Sequence, residues 1–141
     1  MRKVIMEDNK RIELNKQEFI LTLTRKEEGY FQIEAFHNDN VVGSTIFKLK
    51  KGECYLYRIE ILDTNFAHIG LGTQMLRFME QIAYKENCYA VDGKFYPFGE
   101  LAAHAKDFYI KNGYTIDKEY YETFISKRLT KNSTIEIEGN E

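Results

Sequence analysis

The sequence is poor in the residues that build metal sites, disulfide frameworks and membrane segments. Its 141 residues include two cysteines, one proline and no tryptophan. Cys54 and Cys88 stand far apart with no CxxC pair or histidine cluster, which argues against a zinc site or a disulfide framework and favours a reducing cytoplasm. No apolar run reaches the ~18 residues that span a bilayer, and the start "MRKVIMEDNK" lacks the apolar segment of a signal peptide. We therefore expect a soluble, unprocessed cytoplasmic protein.

An excess of charge of either sign is also missing. The chain has 20 basic and 22 acidic residues, a formal net charge of −2, so no global field attracts nucleic acid or an anionic membrane. A hydrophobic content of 43% over this length is enough for one core and too little for two. We expect a single domain over residues 1–130 and a mobile tail over residues 131–141, with neither nucleic acid nor a membrane as partner.

The first half of the chain consists of runs in which β-branched and aromatic residues alternate with polar ones, separated by short polar turns. Before the first clear run, "KVIM" and "RIEL" flank "EDNK" and predict either a small hairpin or a helical turn. The four predicted strands are "EFILTLTR" (18–25), "YFQIEAFH" (30–37), "VVGSTIFKLK" (41–50) and "CYLYRIEIL" (54–62).

The second half changes to helical spacing. From Leu71 to "KEN", apolar residues recur three or four positions apart, and a second apolar stripe runs from Leu101 to Tyr109. Asn112 and Gly113 are expected to end the second helix, because glycine takes the left-handed closing conformation at little cost. The run "CYAVDGKFY" between the helices, and "YTI" and "ETFISKRL" after them, are typical of strands.

This order of elements predicts an α+β fold with a mixed, mostly antiparallel central sheet. Two strands joined through a helix normally form a right-handed parallel crossover, so the strand that ends at Leu62 and the strand near Val91 should be parallel neighbours. The turn that contains Gly70 and Gly72 then lies at the carboxyl end of a central strand, which is where open sheets bind ligands.

The stretch "FAHIGLGTQML" (66–76) has the chemistry of a phosphate-binding turn. A helix start offers unpaired backbone N–H groups and a positive dipole end, and Gly70 and Gly72 lack the Cβ atoms that would hold a phosphate away. A dinucleotide fingerprint would need a third glycine where Met75 stands, and a Walker loop would end in Gly-Lys-Ser/Thr. The turn therefore suits a pyrophosphate outside those two classes, and the plain alternative is a tight turn with close packing.

Two motifs in this order resemble those of the GNAT superfamily of acyl-CoA-dependent N-acyltransferases. "AHIGLG" (67–72) takes the place of the family's Arg/Gln-x-x-Gly-x-Gly/Ala motif after the fourth strand. "AKDFYIKNGY" (105–114) is similar to the family's Ala-x-x-Leu/Phe-Tyr-x-x-x-Gly-Phe segment, and "TFISKRL" to the strand that closes many such domains. Two spaced motifs in the right order of elements are more specific than either alone.

The resemblance implies that acetyl-CoA lies in a V-shaped opening between the two parallel strands. Its pantetheine arm would pair with the strand edge near Ile61 and Leu62. Tyr109 would protonate the departing thiolate; the alternative is a half-buried tyrosine that only packs. The backbone implied to hold the pyrophosphate comprises Ala67, His68, Ile69, Gly70, Leu71, Gly72 and Thr73.

The chain departs from the family pattern in three places. Ala67 replaces the Arg or Gln that opens the motif, which removes one side-chain contact to phosphate, and the neighbouring His68 is either a partial replacement or an exposed loop residue. Ala102 stands where many members have asparagine at the start of the last helix. Before Tyr30 no good pair of amphipathic helices is present, so the usual wall of the acceptor pocket is thin or missing unless a second subunit of a homodimer supplies it.

A base is needed to deprotonate the incoming ammonium. Glu60 is the first candidate, because it lies on the strand that faces the cofactor, and Glu34 and Asp63 come next. The alternative is that Glu60 and Arg58 belong only to a solvated strand face.

Two classes of function follow. The favoured one is an acetyl-CoA-dependent N-acetyltransferase that acts on a primary amine, which is a protein lysine, an N-terminus or a small amine. The other is a non-catalytic acyl-CoA-binding or interaction module that keeps the fold, which Ala67 and Ala102 favour. Neither class needs a metal.

Overall fold

The computed structural model describes residues 9–95, 99–119 and 122–131. Within them the chain forms one sheet of eight strands and two α-helices. The helices are α1 (Leu71–Lys85) and α2 (Gly99–Lys111). The strands are β1 (Asn9–Leu14), β2 (Gln17–Arg25), β3 (Tyr30–His37), β4 (Asn40–Lys50), β5 (Glu53–Ile61), β6 (Ala90–Phe95), β7 (Thr115–Glu119) and β8 (Glu122–Arg128).

The sheet is mixed, with the strand order β1-β2-β3-β4-β5-β6-β8-β7. Among the described neighbours β5 and β6 run parallel, and α1 connects them, whereas the other pairs are antiparallel. The expected α+β fold is therefore confirmed, including the parallel β-α-β unit beside the glycine turn.

Helix α1 packs against the middle of the sheet. Its apolar positions recur at helical spacing, and Met75, Met79 and Ile82 have no exposed surface. Thr45 on β4 is equally buried, and its hydroxyl donates to the sulfur of Met75 over 3.6 Å. Because α1 spans β3, β4 and β5, its first turn is held at one fixed place above the end of β5.

The described part of the N-terminal region forms a hairpin with β2, which is not the predicted hairpin between "KVIM" and "RIEL". "RIEL" lies in β1, which pairs with β2 across a tight turn at Asn15 and Lys16, both with left-handed φ angles of 53° and 64°. The described chain therefore passes from β1 to β2 without a helix. "KVIM", the break at Pro97 and nearly all of the predicted tail lie outside the described residues, and the single domain over 1–130 stays a prediction.

Strands β5 and β6 stay together over only part of their length. The parallel pairing runs from Glu53 beside Ala90 to Leu56 beside Gly93. At that point β5 has an extra residue, Tyr57, since on its other side Phe47 pairs with Leu56 and Ile46 with Arg58. A bulge of this kind bends and twists a strand. The rest of β5 consequently leaves β6 and opens a cleft between the two strands.

A buried ion pair joins α1 to the last strand. Glu80 is 1% exposed, and its carboxylate accepts hydrogen bonds from Lys127 Nζ at 3.1 and 3.2 Å and from Tyr114 Oη at 2.7 Å. Burial raises the pKa of Glu80 above its ordinary value, while the Lys127 charge and these hydrogen bonds lower it. A carboxylate withdrawn from water must keep such partners, so the pair ties β8 to α1.

We predict that Lys127→Met destabilises the fold by about 3–5 kcal/mol, because it leaves the Glu80 charge buried without a partner. The loss should shrink as the pH is lowered, since the raised pKa of Glu80 lets the folded state take up the proton that removes this charge. Urea unfolding at several pH values measures both effects.

The matched control is Lys94→Met, which removes the more exposed pair between Lys94 and Glu122, 3.2 Å apart. Its loss should not exceed about 1 kcal/mol. Equal losses for the two variants would contradict the role given to the buried pair.

Candidate active site

A cavity of about 580 Å³ fills the cleft between the end of β5, the start of α1 and one face of α2. Its wall contains both carbon-rich surface and charged groups. The lining residues are Ile59, Glu60, Ile61, Phe66, Ala67, His68, Gly70, Leu71, Gly72, Thr73, His104, Ala105, Asp107, Phe108, Tyr109 and Lys111. Of the residues expected to bind the cofactor, Leu62 and Ile69 are not part of this wall.

The turn before α1 is built from local hydrogen bonds and two left-handed residues. Asp63 Oδ1 accepts from the Asn65 N–H over 3.0 Å and caps a short 3-10 turn at Thr64–Phe66. The chain then passes through His68 and Gly70, with φ angles of 63° and 96°. A left-handed conformation is costly for histidine and easy for glycine, so Gly70 is suited to the position directly before α1.

The first turn of α1 directs unpaired amides toward the cavity. The first intrahelical bond runs from the Gln74 N–H to the Gly70 carbonyl over 3.1 Å, so the N–H groups of Leu71, Gly72 and Thr73 have no acceptor within the helix. All three residues line the cavity. Gly70 offers no side-chain cap, and the positive end of the helix dipole adds to the attraction for an anion.

Gly70 and Gly72 lie in different surroundings, so a side chain at each position would have a different effect. A Cβ on Gly70 would meet only Leu14 Cδ2, 3.9 Å away, so it would occupy open space in front of the helix. A Cβ on Gly72 would lie 3.3 Å from Cε1 of the Phe108 ring on α2. Gly70 thus fits the predicted anion cradle, whereas Gly72 also allows α1 and α2 to approach each other closely.

The open edge of β5 offers fewer free backbone groups than expected, because, of Ile61 and Leu62, only Ile61 faces the cleft. The Leu62 N–H donates to the Val42 carbonyl over 2.8 Å and so points toward β4. Backbone groups alternate between the two edges of a strand, which leaves those of Ile59 and Ile61 directed toward the cleft. Ile61 therefore offers free pairing positions to an extended ligand, and the Leu62 amide does not.

Tyr109 lies in the wall opposite the end of β5. It is 7% exposed, and its ring packs edge-on against Phe108 and Tyr114, with centroids 5.2 and 5.7 Å away. Burial raises the pKa of Tyr109 to about 12, so the phenol keeps its proton at neutral pH. A buried, protonated phenol at a cavity wall is suited to donate a proton rather than to accept one.

The three candidate bases have different surroundings. Glu60 lines the cavity, with its side chain 42% exposed and its Oε1 atom 3.3 Å from Arg58 Nε. Glu34 lies two strands away on the same face of the sheet, because Ser44 pairs with both Glu34 and Glu60. Asp63 caps the 3-10 turn. Of the three, Glu60 alone belongs to the described cavity wall.

Helix α2 contributes residues that the sequence analysis did not select. His104, Asp107 and Lys111 line the cavity beside Phe108. They lie three or four positions apart, so they share one helix face, a signal that is readable once the orientation of α2 is known. The ring of His104 lies 6.2 Å from that of His68, centroid to centroid, so two imidazoles from different elements line the cavity.

Residues 9–95, 99–119 and 122–131 contain no group of three or more metal-ligating side chains. No helix in that part of the chain is long and apolar enough to cross a membrane.

A splayed parallel strand pair, a glycine turn and a helix start on one cavity form the architecture that the resemblance to acyl-CoA N-acyltransferases implied. The model of the acetyltransferase (GNAT) family matches residues 3–114. The chain belongs to this family, whose members are transferases that use acetyl-CoA. A comparison with curated protein sequences gave no match.

Solved structures share the fold at low sequence identity. The GNAT domain of S. lividans PAT is 8% identical with a TM-score of 0.76, over 90% of this chain and 100% of that domain. PaiA N-acetyltransferase from Thermoplasma acidophilum, solved with coenzyme A, is 18% identical with a TM-score of 0.64, over 71% of this chain and 61% of that protein. Ard1 from Thermoplasma volcanium is 16% identical with a TM-score of 0.61, over 74% and 72% of the two chains.

We predict that CoA raises the melting temperature of the protein and that Gly70→Ala removes most of this rise. A ligand at ~100 times its Kd stabilises the folded state by ~2.7 kcal/mol. The added methyl would occupy the open space in front of the α1 amides. Thermal unfolding with and without millimolar CoA measures the effect.

The control for this prediction is Gly52→Ala. Gly52 has a φ of 86°, so alanine is strained there much as at Gly70, and the added Cβ would meet only the ring of Tyr89, which is 52% exposed. Gly52 does not line the cavity. Both variants should melt earlier than the parent protein, and only Gly70→Ala should lose the response to CoA. An undiminished response in Gly70→Ala would exclude the turn as the phosphate site.

Proposed function

We propose that the protein is an acetyl-CoA-dependent N-acetyltransferase that acts on a primary amine. The observation that carries this proposal is the convergence of three groups on one cavity: the free amides at the start of α1, the protonated Tyr109 and the carboxylate of Glu60. Family membership supports the cofactor. The amine and the roles of the individual residues are our inference from the cavity.

The anion site would hold the phosphate groups with backbone rather than with an arginine. Ala67 has no polar side chain to offer, but the amides of Leu71, Gly72 and Thr73 need none. Lys111 adds one positive charge to the wall, and the imidazoles of His68 and His104 add hydrogen-bonding groups. The amides fit an anionic group, and the open edge at Ile61 fits its extended arm.

The acid and the base would act from opposite walls. When bound, acetyl-CoA supplies the acetyl thioester that makes transfer to an amine favourable. Glu60 Oε accepts a proton from the incoming ammonium, directly or through water, and Tyr109 Oη donates its proton to the departing sulfur. The raised pKa of Tyr109 keeps the phenol protonated at neutral pH, so its hydrogen is available to the sulfur as negative charge develops there. The phenolate would regain a proton from the attacking nitrogen, which must lose one to become the amide.

Tyr109→Phe is expected to lower kcat by ~10²-fold or more and to leave the Kd for CoA unchanged, because the ring keeps its packing and only the hydroxyl group, with the proton it donates, is lost. The control is Tyr84→Phe, a change at a half-exposed tyrosine of α1 that does not line the cavity. Release of free thiol from acetyl-CoA follows the reaction. Equal rates for Tyr109→Phe and the parent protein would show that this tyrosine only packs.

Glu60→Gln should reduce transfer at pH 7 and progressively less as the pH approaches that at which the amine loses its proton unaided, ~10.4 for a lysine side chain. The expected sign follows from the role: a base is dispensable once the acceptor is already neutral. The control on the same strand is Glu53→Gln, which lies outside the cavity. A loss that is constant across the pH range would contradict the assignment of Glu60 as base.

The acceptor side of the cleft favours an amine presented by another macromolecule. The described chain links β1 and β2 by a tight turn and has no helices there, so within the described residues no helix pair covers the side of the cleft at Glu60, whose side chain is 42% exposed. A lysine or a chain terminus on a protein can approach such an open side. A small amine would need a further wall, which a second subunit could supply.

The alternative function is a non-catalytic acyl-CoA-binding or interaction module. Ala67 favours it, because a side-chain contact to phosphate is missing. The side chain of Ala102, which also prompted this alternative, lies outside the described residues. Slow hydrolysis of acetyl-CoA or self-acetylation detected by mass would favour the enzyme without knowledge of the acceptor. CoA binding without either reaction, across peptide and polyamine panels, would favour the module.

A further inference from the structure

Asn112 at the end of α2 is a buried polar residue with hydrogen bonds in two directions. It is 5% exposed. Its Nδ2 group donates to the Phe108 carbonyl over 2.9 Å and to Thr73 Oγ1 over 3.3 Å. The first bond closes the last turn of its own helix. The second crosses to the first turn of α1, so both hydrogens of the amide group are used.

The bond to Thr73 has a consequence for the direction of the threonine hydroxyl. A hydroxyl has one hydrogen to donate and two lone pairs to accept with. Because Asn112 can only donate through Nδ2, the Thr73 oxygen acts as acceptor in this contact and its own hydrogen must point elsewhere. Thr73 lines the cavity beside the free amides of α1, where an anion would accept that hydrogen.

Asn112 is also held from the side of the sheet. Its backbone carbonyl accepts from Lys127 Nζ over 3.0 Å, and Lys127 is bonded in turn to the buried Glu80. The residue therefore has little freedom to rotate, and Tyr109 lies one helical turn before it. A fixed carboxamide between the two helices links the position of Tyr109 to that of the anion site.

We propose that Asn112 is a positioning residue for the cofactor phosphates: it holds the Thr73 hydroxyl as a hydrogen-bond donor toward them and locks α2 to the start of α1. The proposal rests on the proposed function, since it assumes that CoA phosphates bind at this turn. It predicts that the Asn112–Thr73 contact matters for ligands with phosphate groups and not for the pantetheine arm alone.

The test compares CoA with pantetheine, which lacks the phosphates, in NMR titrations that follow weak binding. Asn112→Ala and Thr73→Val should each weaken CoA binding about tenfold, the usual worth of a hydrogen bond to a charged group. Pantetheine binding should not change. The double variant should bind CoA as tightly as the single variant with the lower affinity, because both changes remove the same interaction.

Two controls separate positioning from general damage. Thr73→Ser keeps the hydroxyl that Thr73→Val removes, so its affinity for CoA should equal that of the parent protein. Thr115→Val makes the isosteric change at a threonine whose hydroxyl bonds the Ser126 carbonyl outside the cavity, and CoA binding should stay at the parent level. Should Asn112→Ala unfold, Thr73→Val still tests the contact.

The outcomes distinguish the two levels of inference. Equal losses for CoA and pantetheine, or no loss for CoA, would overturn the role of Asn112 and leave the cofactor site standing. Failure of the parent protein to bind CoA would overturn the proposed function together with this inference. Additive losses in the double variant would show that Asn112 and Thr73 act separately and would also overturn it.

Discussion

The site depends on the point at which two parallel strands separate. Four residue pairs hold β5 beside β6, and the pairing ends where Tyr57 enters β5 as an extra residue. Strand β6 cannot follow, because β8 pairs with it along its whole length to Phe95. One strand therefore turns away while the other is held, and among the described residues the backbone groups of Ile61 have no strand partner on the β6 side. A continuous ladder would have closed the cavity.

Polar contacts, in addition to apolar packing, fix the position of α2, which forms the cavity wall opposite the end of β5. Helix α2 reaches α1 through the Asn112–Thr73 bond, and Lys127 connects Asn112 to the buried Glu80. Buried charges add little net stability, because desolvation offsets their attraction. Their directional hydrogen bonds do restrict geometry, since only one arrangement satisfies all of them. The close approach at Gly72 and Phe108 requires the same alignment of the two helices.

Local patterns were enough to predict the order of elements from β2 onward and the position of the glycine turn. Alternation and helical spacing report which face of an element is buried, and Gly70 marks a left-handed residue. The bulge at Tyr57, the second reason for Gly72 and the buried Asn112 were not predictable in this way. Each depends on a partner distant in sequence, namely β4, Phe108 and Thr73. Tyr109 on α2 was predicted through the family resemblance, whereas His104, Asp107 and Lys111 were missed because their spacing shows a shared face but not what that face meets.

The replacement of an arginine or glutamine by Ala67 is best judged from the whole cavity mouth. Helix α2 brings Lys111 to the same wall, so one positive charge is available from a different element of the fold. An anion held by three backbone amides and a helix dipole loses one contact, not its whole site, when one side chain is shortened. Asp107 and Glu60 line the same cavity and oppose this attraction, so net charge alone does not favour an anion there. The directed donors, the amides and the Thr73 hydroxyl, therefore have more influence on where a phosphate binds than net charge does.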